Sequence, residues 1–219
     1  MAFLGCSRGL GRAVCFEMDR RKPLEKALLV ARQEDSLLNL SKDLKAPSQI
    51  QRLDLAAPEN VDVLLTQLKI IRPQRVFYFA GGGCYGSFAS KMWKDHLWGL
   101  QVTFLTPARL LHSLLSDPAL TCIEQIIFVG SQVADNQGDS GASSYAAAKH
   151  GLRGLIQSIV AEGCSRDLRL FRPGYMDTDM LPPNCPPRRQ GRLLINPEEA
   201  ACIFVDWALD PFGKAVLDL

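Results

Sequence analysis

Ala2-Phe3-Leu4-Gly5-Cys6-Ser7-Arg8-Gly9-Leu10-Gly11-Arg12 carries the architecture of this chain in eleven residues. A short apolar run, read as a strand near 2–5, passes through three glycines into a helix near 10–21. Glycine lets a backbone turn tightly and approach a ligand, and the free amides at a helix start favour a phosphate. Three glycines at this spacing say little alone. Placed at the first strand-to-helix turn they mark a phosphate-binding loop.

Beyond that turn, short apolar runs alternate with longer helical patterns along all 219 residues. Strands are expected near 2–5, 26–31, 49–53, 75–80, 124–130, 167–172 and 214–218. Helices are expected near 10–21, 34–44, 58–71, 92–116, 144–163 and 197–209. This alternation predicts an α/β fold, a parallel sheet with helices on both faces, and the length suits a single domain over 1–219. The stretch holding Pro182-Pro183, Pro186-Pro187, Arg188, Arg189 and Arg192 reads as low in structure. It lies beyond the sixth strand, on the edge where such sheets bind ligands.

A second landmark is Ser144-Tyr145-Ala146-Ala147-Ala148-Lys149, with Ser131 fourteen residues before the tyrosine. Alanines, then Leu152, Leu155, Ile156, Ile159 and Val160, give a buried helix. Positions four apart share a helix face, so Tyr145 and Lys149 look into the same space. A phenol titrates near pH 10, too high for ready proton exchange at neutrality. A unit charge about 4 Å away is worth roughly 4 kcal/mol at an effective dielectric near 20, or about three pKa units. Lys149 is therefore expected to lower the Tyr145 pKa and make it a general acid or base. Alone, such a pair would read as a surface contact; the glycine turn and Ser131 give it chemical meaning.

Composition narrows the field. The chain is 47% hydrophobic and 22% charged, with a net charge of +2, so neither a basic nucleic-acid face nor an acidic tail is expected. No apolar run reaches the length of a membrane span, and Met1–Gly5 lacks a signal-peptide pattern. Cys6, Cys15, Cys84, Cys122, Cys164, Cys185 and Cys202 show no metal or redox spacing and suit a reducing cytoplasm. His96, His112 and His150 form no metal-ligand pattern, and no metal is expected.

With the glycine turn, Ser131, Tyr145, Lys149 and Arg172-Pro173-Gly174-Tyr175-Met176-Asp177-Thr178 in one order, the chain resembles the short-chain dehydrogenase/reductase family over essentially its whole length. The resemblance implies a Rossmann-type doubly wound sheet of about seven strands, in the order 3-2-1-4-5-6-7. It implies interconversion of a carbonyl and an alcohol on a small to medium substrate, using a nicotinamide dinucleotide. Ser131 would hydrogen-bond the substrate oxygen, Tyr145 exchange its proton, and Lys149 tune the tyrosine and hold the nicotinamide ribose. Gly5, Ser7, Arg8, Gly9, Leu10 and Gly11 would cradle the cofactor. Asp54 and Leu55 would lie against adenine, and Ala80, Gly81 and Gly82 beside the cofactor. Pro173, Gly174, Met176 and Thr178 would reach the carboxamide. Tyr85 and Met180 are the expected substrate contacts, while Asp177 and Asp179 read as solvated loop residues.

The chain also departs from the family. Tyr78-Phe79 stands where the family has Asn-Asn, and no asparagine occupies Gly99–Gln101, where a fourth catalytic residue belongs. Gln101 is expected to hold the same water in its place. An alternative follows from these losses: a catalytically weak, cofactor-binding regulator or scaffold on the same fold. A further option is an interaction module built on the long 92–116 helix.

Cofactor preference is legible at the second strand. Enzymes that use NAD place an acidic residue at its end to bind the ribose 2′-hydroxyl. Here the strand ends on Ala31 and Arg32 follows, while Arg8 sits in the glycine loop. Two guanidiniums match a 2′-phosphate, so NADP(H) is expected. Glu34 and Asp35 read as the polar start of the next helix; folded back to the ribose, they would favour NAD instead. Trp93, Leu97, Trp98, Leu100, Val102, Phe104 and Leu105 give the 92–116 helix more apolar surface than one sheet face needs. Family members commonly pair this helix and the next across a two-fold axis, and a homodimer or homotetramer is expected.

Overall fold

The computed structural model describes residues 1–21, 24–135 and 139–219. Strands β1 (Ala2–Leu4), β2 (Ala27–Ala31), β3 (Ser48–Arg52), β4 (Arg75–Tyr78), β5 (Gln125–Val129), β6 (Asp167–Arg172) and β7 (Val216–Asp218) form one parallel sheet. Their order is β3-β2-β1-β4-β5-β6-β7, as expected. The order reverses between β1 and β4, and a crevice opens above the carboxyl ends of the strands there.

Alternate side chains of the inner strands enter two separate cores, because each strand residue faces the side opposite its neighbour. Phe3, Leu29, Phe77, Ile127 and Phe171 point to the face covered by α1 (Gly9–Arg21), α2 (Glu34–Asp43) and α8 (Pro197–Leu209). Phe204 of α8 sits among Phe77, Phe79 and Phe171, with ring centroids 5.2–5.6 Å apart. Leu4, Tyr78, Phe128 and Leu170 point the other way. That face is covered by α3 (Asn60–Ile71), α5 (Thr106–Ser116) and α6 (Ser143–Ala161). Strand β3, at the sheet edge, is polar (Ser48-Gln49-Ile50-Gln51-Arg52), which suits an exposed edge.

The expected single helix over 92–116 is broken. Helix α4 (Trp93–Leu100) gives way to a π turn at Gln101–Leu105, and α5 follows. Pro107 cannot donate to the carbonyl four residues back, and the Thr106 amide reaches instead to the Gln101 carbonyl. The Tyr78 hydroxyl donates to the Val102 carbonyl at 2.7 Å inside this turn. Tyr78, standing for a family asparagine, thus braces the break from the sheet side.

The stretch after β6 holds more structure than its prolines suggested. Met176 bridges to Ile195, and α7 (Pro186–Arg189) makes one helical turn beside the buried Cys185. Among the described residues, no helix is long and apolar enough to cross a membrane.

Candidate active site

The crevice at the β1/β4 reversal is a cavity of about 840 Å³. All the expected catalytic, cofactor and substrate residues line it, from Gly5 and Ser7 through Ser131, Tyr145 and Lys149 to Thr178 and Met180.

One end is made largely of backbone. Gly5 has φ +88°, and a Cβ there would lie 2.4 Å from the Ala80 nitrogen, so no other residue fits without a shift. Gly9 has φ +54° and opens α1, whose first residues, Gly9, Leu10 and Gly11, line the cavity. Arg8 and Arg32 are exposed on the rim, and the Arg32 guanidinium lies 5.7 Å from the centre of the Trp98 ring. Glu34 and Asp35 stand exposed in the first turn of α2 and do not line the cavity. Asp54 caps its own turn, accepting from the Ala56 amide at 3.0 Å, and Leu55 is buried below it.

At the centre, Lys149 is 3% exposed and donates to the Val129 carbonyl at 2.6 Å. Its Nζ lies 5.5 Å from the centre of the Tyr145 ring. A Cβ on Gly81 would sit 3.5 Å from that Nζ, so the missing side chain leaves room beside the lysine. Burial lowers Lys149 to about 7, because the charged amine loses water. Burial likewise pushes Tyr145 up to about 12, with a Ser131 hydrogen bond working in the opposite direction. The expected lowering of the tyrosine by Lys149 is therefore not found. Both groups are desolvated, and a lysine that gives up its proton near neutrality is a weak source of positive charge.

Gln101 also departs from expectation. Its amide donates to Thr106 Oγ1 at 3.1 Å, and that hydroxyl donates to the Leu55 carbonyl at 2.8 Å. Gln101 does not line the cavity and cannot hold a water against Lys149. Gly99 takes the family asparagine's neighbourhood for packing: a Cβ there would lie 3.1 Å from Gly83 Cα. The Thr103 hydroxyl on the π turn both accepts from and donates to the Gly82 backbone.

The far end is made of side chains from distant segments. Tyr85 donates to the Ser140 carbonyl at 3.1 Å, and Tyr175 to Asp139 Oδ2 at 2.8 Å. Burial first, then Asp139, pushes Tyr175 up to about 12. Asp177 pairs with Arg188 at 2.7 Å, consistent with its loop reading. Trp98, Cys84, Asp139 and Tyr175 also line the cavity and were not anticipated there. Trp98, one of the apolar residues counted on the 92–116 helix, is 36% exposed and lines the cavity, where Gly82 has no Cβ to meet its ring, at 2.6 Å. Val102, counted with it, is 6% exposed and belongs to the core.

Known proteins share this chain's family and fold. The profile of the short chain dehydrogenase family matches residues 1–187, and the chain belongs to that family. It is thus an oxidoreductase of the type that uses NAD or NADP. Among individual relatives, the 3-oxoacyl-[acyl-carrier-protein] reductase of Salmonella typhimurium is 27% identical over 180 residues, covering 80% of this chain and 72% of that one. The enzyme of the same name from Pseudomonas aeruginosa is 27% identical over 183 residues, covering 80% and 73%. Solved structures share the fold. A short-chain dehydrogenase from Streptomyces avermitilis superposes with a TM-score of 0.83 at 20% identity, covering 100% of this chain and 86% of that one. The alcohol dehydrogenase of Thermococcus sibiricus, complexed with 5-hydroxy-NADP, gives 0.82 at 21%, covering 100% and 93%.

Proposed function

We propose that this chain is an NADP(H)-dependent reductase or dehydrogenase that interconverts a carbonyl and an alcohol through Ser131, Tyr145 and Lys149. The observation that carries this reading is the opening of those three side chains and the glycine turn onto one continuous cleft.

The residues fit a dinucleotide. Gly5, Ser7, Gly9, Leu10 and Gly11 offer backbone at a helix start for the pyrophosphate. Arg8 and Arg32 suit a 2′-phosphate, and Glu34 and Asp35, held outside the cleft, offer no rival site for a free 2′-hydroxyl. Asp54 and Leu55 flank the adenine place, with Ala80, Gly81 and Gly82 as its continuation. Pro173, Gly174, Met176 and Thr178 wall the nicotinamide end. When bound, the cofactor gives or takes a hydride. The chain does the rest. Ser131 orients the substrate oxygen, the Tyr145 hydroxyl delivers or takes the proton there, and Lys149 holds the sugar hydroxyls. Tyr85 and Met180 bound the substrate on the far side.

The 3-oxoacyl reductase relatives make a ketone near a second carbonyl the first substrate class to test. We expect NADPH oxidation with at least one member of a panel of ketones, aldehydes, diketones and 3-oxoacyl thioesters, and tighter binding of NADPH than of NADH. No turnover across the panel despite tight NADPH binding would replace this reading with a cofactor-binding regulator. The turned-away Gln101 and a Tyr145 pushed up to about 12 both favour that alternative.

The exposed side chains of Met92, Trp93, Leu97 and Leu105 and of Val160 on α6 support pairing of these helices between two copies. A single monomeric species in light scattering at micromolar concentration would overturn that assembly.

A further inference from the structure

One cluster of nucleophilic and basic side chains opens on the cleft without a part in the chemistry above. Cys84 follows Gly81-Gly82-Gly83, is half-buried, and lines the cavity. The backbone carrying it presses on the catalytic tyrosine: a Cβ on Gly83 would lie 2.8 Å from Tyr145 Cβ. Cys84 Sγ lies 3.3 Å from His96 Nδ1.

His96 is 3% exposed and packs against the Phe88 ring, with centroids 4.5 Å apart. Its Nε2 lies 3.0 Å from the Phe88 carbonyl oxygen. A carbonyl only accepts, so Nε2 carries the hydrogen, and Nδ1 is the nitrogen that faces Cys84 Sγ and Ser144 Oγ. The Ser144 hydroxyl also touches Nδ1. A hydroxyl both donates and accepts, so Ser144 can give Nδ1 a hydrogen or, rotated, take one from it. Nucleophile, base and orienting group thus stand in the arrangement that activates a thiol. Cys122, Cys164 and Cys202 are also half-buried, yet no histidine bonds to them among the described residues.

We propose that Cys84 is a covalent acceptor for α,β-unsaturated carbonyl compounds, with His96 as its base. The choice of electrophile rests on the reading of the cleft as a carbonyl site, since such a site admits conjugated carbonyls at its substrate end. In the reaction the S–H bond breaks and its proton passes to His96 Nδ1. The sulfur pair forms a bond to the β-carbon while the C=C π pair moves to the α-carbon and oxygen as an enolate. A proton then returns to the α-carbon, giving a saturated thioether with no oxidant or reductant consumed. The adduct stands beside Tyr145 and blocks the substrate end of the cleft.

Methyl vinyl ketone is the probe, read by intact mass and peptide mapping. Cys84 should alkylate at least tenfold faster than Cys122, Cys164 or Cys202. His96→Asn should slow Cys84 at least tenfold and leave the Cys122 rate unchanged. Equal rates among the four cysteines overturn the proposal, as does a His96→Asn rate equal to the parent's. If His96→Asn unfolds, exposing the buried Cys6 to the probe, the ratio of Cys84 to Cys122 in the parent decides alone. Tyr145→Phe should alkylate at the parental rate, so a chain without carbonyl turnover still tests the thiol. Should turnover exist, whatever part of it Cys84→Ala keeps should resist the probe; inactivation as fast as in the parent would sink the assignment.

Discussion

The nucleotide end of the cleft and its substrate end are built from different materials. At the first, much of the wall is backbone: Gly5, Gly9, Gly81 and Gly82 bring main chain against the cavity, with Arg8, Arg32 and Trp98 among the side chains that project there. At the second, Cys84 and Tyr85, Asp139, and Tyr175 and Met180 arrive from three loops, tied by the Tyr175 bond to Asp139 and the Tyr85 bond to the Ser140 carbonyl. A backbone wall demands glycine at fixed positions and little else, so one end accepts one ligand shape. A side-chain wall can be rebuilt residue by residue, so the other end sets the substrate.

If that division is right, the largest loss comes from the junction of the two ends. Tyr145→Phe removes one hydroxyl and no packing, so turnover should fall about 10²–10⁴-fold with NADPH affinity within twofold of the parent. Near-normal turnover on a true substrate would show that the proton comes from elsewhere. Lys149→Ala should harm both turnover and cofactor affinity, because the amine serves both ends.

Lys149 also makes a stability prediction. In the unfolded chain its amine keeps its proton to about pH 10, whereas in the fold burial brings it to about 7. Between those values the unfolded state binds more protons, so stability from this group rises with pH. The cost of burying the charge is therefore fully present below pH 7 and fades toward pH 10. Lys149→Met should be more stable than the parent at pH 6, by on the order of a few kcal/mol, with the gain shrinking as pH rises. Urea midpoints at pH 6 and 9.5 check this; a constant difference would mean that the fold does not depress the lysine.

At the nucleotide end, Arg32→Ala should weaken NADPH about 10- to 100-fold and leave NADH unchanged, because one charged contact is worth about 1.5–3 kcal/mol. Equal loss for both nucleotides would assign Arg32 to the adenine rather than to the phosphate. The smallest effect belongs to Gln101→Ala, whose side chain faces Thr106 and away from the cleft. Turnover should stay within about twofold, with any stability loss near 1 kcal/mol from the lost hydrogen bond.

The same division explains what could be read from the chain alone. Sheet order, the glycine turn and the Tyr145–Lys149 face follow from spacing, because backbone geometry repeats along a sequence. The break at Gln101–Leu105 does not, since Trp93–Ser116 keeps an apolar helical pattern across it and only Pro107 hints at the interruption. Trp98 reaches the cleft wall because a glycine sixteen residues earlier leaves room, a pairing that no local pattern displays. The pKa of Tyr145 failed for a related reason: proximity to Lys149 is a matter of spacing, but desolvation depends on everything around them. Cys84 and His96 are twelve residues apart with no repeat between them, and only the folded chain shows that they touch.

The three tryptophans occupy three different surroundings. Trp93 is 62% exposed, Trp207 is packed beside Phe171 and Phe204, and Trp98 forms part of the cleft wall facing Arg32. The protein therefore carries a built-in optical reporter. Occupancy of the nucleotide end should quench indole emission chiefly from Trp98, the aromatic partner positioned for a stacked or energy-accepting ligand. Association of two copies should instead shift the emission of Trp93 toward the blue as its ring leaves water. One emission spectrum thus separates ligand binding from subunit pairing, with Trp207 as the internal reference.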